Sequence, residues 1–374
     1  MEKPFVYGMS VEGKNFIDRE NERERLKKDF ECGVNVIIIS PRRMGKTSLV
    51  KKVRSELQNP KIVVVLLDAY DCRSEYDFYN KFATALMVQT ASTSARVIEN
   101  IKQFLIRVSP KISFSPEPNS NFSLSLGITP KEYTPEEILN IPEIIAKEKD
   151  IHIVVCIDEF QQIGEFPDSI NVQKRLRGLW QHQQNVSYCL FGSKKHLMTK
   201  LFKSRRMPFF QFGEMLELKK IPTDAWIHFI VGRFKEYKKV ISEDLAKSIC
   251  EKVENYSSYV QQLAWNVMAE SGDVVTEADF ISGFDALLAQ NVSFFTEQTR
   301  GLSSYQLNMI RAVCRGYHSG FGTKEVSEQF SFGVKSNISR IKAKLIDREI
   351  IEEEKGEVYL ADPLFEYWFK REFM

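Results

Sequence analysis

Short apolar runs alternate with amphipathic stretches through the first part of the chain, and the pattern then turns helical. The runs at 34–39, 61–68, 151–157, 187–191 and 212–218 predict strands, since apolar residues follow one another without the alternation of a half-exposed strand. Strands apolar throughout and separated by helical patterns predict a parallel sheet covered on both faces. The intervening helices are expected at 47–58, 76–89, 97–108, 170–184 and 195–202, after a charged helix within 15–30. Residues 109–134 are Pro- and Ser-rich with two short alternating runs, 111–114 and 122–126, and predict a surface hairpin insertion. Beyond 219 the spacing predicts helices over 223–234, 242–255, 258–270 and 277–290. Three more follow, at 302–316, 323–330 and 334–346. The last two runs, 350–354 and 358–360, flank Lys355-Gly356 as a hairpin, so the end of the chain has a winged-helix signature.

The first run breaks into Ser40-Pro41-Arg42-Arg43-Met44-Gly45-Lys46-Thr47, which fits the phosphate-loop pattern G-x-x-x-x-G-K-[ST] with Ser in place of the first Gly. Between a strand and a helix, such a loop turns its backbone N–H groups inward as an anion nest, and Ser48 carries it into the helix. Gly45 lets the backbone close on a β-phosphate without a Cβ in the way. Lys46 supplies a point charge for the β- and γ-phosphates, and the Thr47 hydroxyl is placed to ligate Mg2+. Ser40 is expected to narrow the φ open to the turn, and Pro41 to offset this by fixing its own.

Val154-Val155-Cys156-Ile157-Asp158-Glu159 supplies the second half, four apolar residues and then two carboxylates, the Walker B pattern. Asp158 is expected to hold Mg2+ through water opposite Thr47, and Glu159 to polarise the attacking water. Ser193 follows the fourth apolar run, where its hydroxyl either orients that water or simply turns the chain into the next helix. Arg205 and Arg206, ahead of the fifth run, are either finger residues for a neighbouring subunit's nucleotide or a solvated basic turn. One complete strand–helix unit lies between the two motif-bearing strands, the connectivity of additional-strand P-loop proteins. The fold class is therefore α/β: a P-loop NTPase parallel sheet with helices on both faces, then a helical lid and a winged-helix domain. The expected boundaries are 1–218, 219–292 and 293–374.

These motifs together resemble the archaeal-type ATPase family, AAA-like additional-strand P-loop ATPases. Phe16-Ile17-Asp18-Arg19-Glu20 with Glu22 is similar to the family's F-x-x-R-E-x-E entry motif. Pro41 to Leu49 is similar to its P-R-R-x-G-K-T-S-L loop, Ile157 to Gln161 to its I-D-E-F-Q segment, and Tyr359 to Trp368 to its Y-x-x-x-D-P-x-x-x-x-W ending. The resemblance implies ATP binding and hydrolysis, a helical lid near 219–290 and a terminal winged helix. It also implies that Phe16 and Ile17 lie near the adenine base, with Arg19 among the nucleotide-site residues. The family's G-x-P-x-x-x-Q lid stretch is represented by Tyr256 to Gln262, YSSYVQQ, which has neither the Gly nor the Pro.

Composition narrows little. Lys plus Arg number 52 and Asp plus Glu 50, so any nucleic-acid affinity must come from a local patch. The six cysteines are scattered without a C-x-x-C pair, and Cys156 and Cys189 sit in apolar runs as small core residues. The N-terminus lacks an apolar signal core, and no apolar run approaches the ~20 residues of a membrane span, so a cytosolic protein is expected. On the last helical pattern Lys335, Asn337, Arg340, Lys342 and Lys344 are candidates for duplex DNA, whereas the hairpin carries the acidic residues Glu352, Glu353, Glu354 and Glu357. The expected function is ATP binding and Mg2+-dependent hydrolysis driving a conformational switch. Two partners stay open at this point: duplex DNA on the winged helix, or a protein in a signalling or scaffold role. A homo-oligomer is open as well.

Overall fold

Five apolar runs pair as one parallel sheet. Its strands are β1 (Val36–Ile39), β2 (Ile62–Asp68), β3 (His152–Asp158), β4 (Val186–Gly192) and β5 (Glu214–Glu217), in the order β2-β3-β4-β1-β5. β4 therefore lies between β1 and β3, which is the inserted strand that the connectivity predicts. The computed structural model describes residues 3–90 and 135–374; the helix expected at 97–108 and the hairpin expected at 109–134 fall outside them. Contacts divide the chain into two units, Arg19–Lys219 and the N-terminal stretch up to Asp18 together with Lys220–Met374.

Among the described residues the helices of the sheet unit are α1 (Glu20–Glu31), α2 (Lys46–Glu56), α3 (Glu75–Thr90), α4 (Pro135–Leu139), α5 (Ile141–Lys149), α6 (Ser169–Trp180) and α7 (Lys195–Lys203). The sequence reading left α4 and α5 unassigned. Pro135 and Pro142 stand at the starts of these helices, where the missing N–H costs nothing, and Ile138, Leu139, Ile141 and Ile145 are buried. α6 stops at Trp180 rather than 184 because Gln183 has other partners: its amide donates to the Leu139 carbonyl at 2.9 Å and accepts from the Tyr188 hydroxyl at 2.6 Å.

Trp180 is the hub of the core on one side of the sheet. It stacks on Tyr188 with ring centroids 4.0 Å apart and meets Phe82, Phe160, Phe209 and Phe212. β5 departs from the expectation of strands apolar throughout. It is four residues long, with Glu214 and Glu217 exposed, the short charged form suited to an outer strand. At the opposite edge, the Gln89 side chain pairs with β2 as a strand would. Its Oε1 accepts from Leu66 N–H at 3.0 Å and its Nε2 donates to Leu66 C=O at 2.7 Å.

The second unit contains α8 (Thr223–Glu236), α9 (Glu243–Lys252), α10 (Ser257–Glu270) and α11 (Glu277–Thr299). The three helices α12 (Ser304–Cys314), α13 (Lys324–Gln329) and α14 (Lys335–Asp347) then lead to the antiparallel hairpin of β6 (Ile351–Glu354) and β7 (Glu357–Leu360). The hairpin's two-residue turn has Lys355 and Gly356 at φ 52° and 87°. A terminal helix, α15 (Pro363–Phe373), was not assigned from sequence. Its Phe365 and Trp368 rings close on Phe295 at 5.5 and 5.6 Å. That contact explains why α11 runs to Thr299 and not to 290, so the expected boundary after 292 falls inside a continuous helix.

The YSSYVQQ stretch has partners of its own. Tyr259 donates to Asp362 at 2.6 Å, Tyr256 to the Ala361 carbonyl at 3.2 Å, and Gln261 accepts from Val6 N–H at 2.8 Å. α10 and α11 cross closely at Gly283, where a Cβ would lie 2.8 Å from Val267 Cγ2 and 2.9 Å from its backbone N. Gly283→Ala is thus expected to lower stability by about 1–3 kcal/mol, read as a lower urea midpoint with an unchanged slope.

Candidate nucleotide site

Ile39 ends β1, and the loop from Ser40 to Gly45 leads directly into α2 at Lys46. Gly45 stands at φ +86°, the left-handed region that a Cβ disfavours, and Arg43 also turns there at φ 65°. Ser40 does not: its φ is not positive, so the serine in place of the family glycine carries no backbone penalty, contrary to the expectation above. Instead its hydroxyl has work in the loop. Lys46 Nζ donates to Ser40 Oγ and Ser40 C=O, both at 3.2 Å, and to Pro41 C=O at 2.8 Å. Burial brings the Lys46 ammonium down to about 8, while Asp158 and Glu159 pull the other way. Met44 and Ser48 are buried, Pro41 is half-buried and Arg42 is exposed.

Two of the sequence motifs meet here. Thr47 Oγ1 donates to Asp158 Oδ2 at 2.6 Å, joining the start of α2 to the end of β3. Burial raises the Asp158 carboxyl to about 6, against the Thr47 hydrogen bond that favours ionisation. A hydroxyl and a carboxylate side by side, at the mouth of a phosphate loop, are the hard oxygen donors that suit Mg2+.

Glu159 follows in the left-handed region, φ 53°, and a 3-10 turn over Phe160–Glu165 comes next. Burial of Phe160 accounts for this sharp exit. Its ring sits 5.2 Å from Phe209 and 5.7 Å from Phe202, so the aromatic core pins the residue after Glu159. From the end of β4, Ser193 reaches the same carboxylate, its Oγ donating to Glu159 Oε2 at 2.9 Å. The structure therefore brings Lys46, Thr47, Asp158, Glu159 and Ser193 to one end of the sheet. Arg205 and Arg206 lie exposed after α7.

Arg19 is 3% exposed and holds backbone. Its guanidinium donates to the carbonyl of Met44 at 2.8 Å and to that of Lys219 at 3.0 Å, tying the loop to both ends of the sheet unit. Phe16 and Ile17 belong to the other unit, where both are half-buried. Sequence reasoning missed two residues beside the acidic turn. Gln161, whose amide donates to Glu159 Oε2, was visible only as the last letter of the I-D-E-F-Q segment. Asp68 lies opposite Asp158 in the β2–β3 register, and nothing local marked it.

On α14, Lys342 is ion-paired with Glu353 of the hairpin at 2.5 Å, and Asn337 donates to the Phe332 carbonyl at 3.1 Å. Arg340 and Lys344 are exposed. Among the described residues no helix is long and apolar enough to cross a membrane.

A phosphate loop after β1, an acidic pair at the end of β3 and β4 between the two strands define a P-loop NTPase fold, here joined to a helical lid and a winged helix. No protein-family model and no curated protein matches the sequence. Among solved structures the chain is similar to a Walker-type ATPase of Pyrococcus abyssi, with 16% identity and a TM-score of 0.71 over 98% of this chain and 100% of that one. It is similar as well to the ORC2 protein of Aeropyrum pernix in its ADPNP–ADP complexes, with 11% identity and a TM-score of 0.58 over 96% of each chain. The ORC1 protein of Aeropyrum pernix in complex with DNA follows, with 12% identity and a TM-score of 0.52 over 96% and 94%. At these identities the likeness is one of fold.

Proposed function

We propose that the protein binds ATP and hydrolyses it with Mg2+, using the cycle as a conformational switch. The observation that carries this reading is the 2.6 Å contact between Thr47 and Asp158 beside Lys46, with Glu159 next in the chain. Lys46 and the loop amides would hold the phosphates, and Thr47 and Asp158 would hold Mg2+, which when bound neutralises charge on the phosphate oxygens. Glu159 accepts a proton from the attacking water, and Ser193 helps fix the carboxylate. Arg205 and Arg206 fit a role toward a neighbouring subunit, being exposed.

For the winged helix, a protein partner fits better than duplex DNA. Lys342 is already neutralised by Glu353, and Glu352, Glu354 and Glu357 give the hairpin the sign that a phosphate backbone repels. The DNA reading draws on the ORC1 complex and on the exposed Arg340 and Lys344. One experiment addresses both points: steady-state ATP turnover with Mg2+, with chelator, and with added duplex. Turnover that needs Mg2+ and ignores DNA is the expected result. Stimulation by duplex, together with binding that weakens steeply with salt and is lost in Lys344→Glu, would return the winged helix to DNA.

A further inference from the structure

Gln161 is two residues past Glu159, inside the 3-10 turn, and only 2% exposed. Its Nε2 donates to Glu159 Oε2, the oxygen that already accepts from Ser193 Oγ at 2.9 Å and from Ser193 N–H at 3.4 Å. All the donors gather on one carboxylate oxygen. Among the described residues none reaches Oε1 of Glu159. A carboxylate held this way cannot rotate freely, and its other oxygen is left to accept a proton.

The room for this amide is made by a second residue. A Cβ built on Gly192 would lie 1.7 Å from Gln161 Oε1 and 2.9 Å from its Cδ, so only glycine at the end of β4 admits the side chain in this pose. The amide also has an unusual cost: its Oε1 is buried with no hydrogen-bond partner among the described residues. A glutamine that merely filled space would be replaced without loss by an apolar side chain of equal length. Turning the amide over would aim its oxygen at the carboxylate, so the donor must face Glu159.

From this we infer that Gln161, seated in the gap left by Gly192, is a positioning residue that fixes the Glu159 carboxylate for water activation. The inference rests on the proposed role of Glu159 and extends it. Gln161 does not touch nucleotide in this scheme; it acts through Glu159 alone.

The test uses the full chain and ATP turnover. Gln161→Met keeps length and removes the donor. It is expected to lower kcat about 10- to 100-fold, with KM within about twofold and the affinity for a fluorescent ATP analogue unchanged. A second measurement does not depend on activity. Gly192→Ala should lower the melting temperature and kcat together, and adding Gln161→Ala should restore the melting temperature while kcat stays low. Wild-type or higher kcat in Gln161→Met, in a protein whose Glu159→Gln variant is inactive, overturns the inference and leaves the role of Glu159 intact. So does a Gly192→Ala defect that Gln161→Ala fails to relieve. Equal turnover in wild type and Glu159→Gln removes the role of Glu159, and this inference with it.

Discussion

Glu159→Gln is expected to lower ATP turnover by about 10²- to 10⁴-fold, the range for loss of a positioned general base, while the affinity for MgATP stays near that of the wild type. The reason is the division of labour at the end of β3. Asp158 contacts Thr47 of the loop, whereas Glu159 turns away from it in the left-handed region and is held by Ser193 and Gln161. The amide preserves the shape of the side chain, and its nitrogen cannot take up a proton from water. Single-turnover hydrolysis and equilibrium binding, measured on the same preparation, separate the two quantities. A variant that loses binding in parallel with turnover would reassign Glu159 to the nucleotide cradle.

Lys46→Ala should have the opposite signature, losing nucleotide itself. An ammonium that donates to three loop oxygens is already aimed into the cradle, and burial holds it near 8 without discharging it at neutral pH. Removing one charged donor from a phosphate costs about 1.5–3 kcal/mol, or roughly 10- to 150-fold in Kd. Titration with a fluorescent ATP analogue should therefore move by at least an order of magnitude, with kcat at saturation a secondary casualty. An unchanged Kd would mean that the loop amides alone bind the phosphates, and that Lys46 serves only the loop's own oxygens.

Much of this site was legible because its chemistry is local. The loop, the acidic pair and the apolar strands before them are encoded within a few residues each, and parallel strands buried on both faces read as unbroken apolar runs. What escaped the sequence depends on partners far along the chain. The resemblance places Arg19 among the nucleotide-site residues, but nothing local says that its guanidinium holds the carbonyls of Met44 and Lys219. Lys342 reads as a free cation, and it is the folding of the hairpin that sets Glu353 against it. Ser40 looked like a compromise at a glycine position, but the backbone there never enters the left-handed region. α4, α5 and α15 carry no assignment from sequence; packing holds them, through the buried Ile138, Leu139, Ile141 and Ile145 in the first two and the Phe365 and Trp368 rings on Phe295 in the last.

The Gln89 amide on the outer edge of β2 bears on how this chain behaves in crowded solution. A parallel sheet ends in a row of open donors and acceptors, and an incoming extended segment from another molecule needs two of them in succession to gain a foothold. At Leu66 both are already taken by one side chain, reproducing the pairing of a strand without offering a further edge. Growth of the sheet by recruitment of foreign chain is opposed at Leu66 by a single residue, and along β5 by its exposed glutamates. Among the described residues an apolar, aggregation-prone set of strands is thus kept at the centre with a capped position at one border and charges at the other.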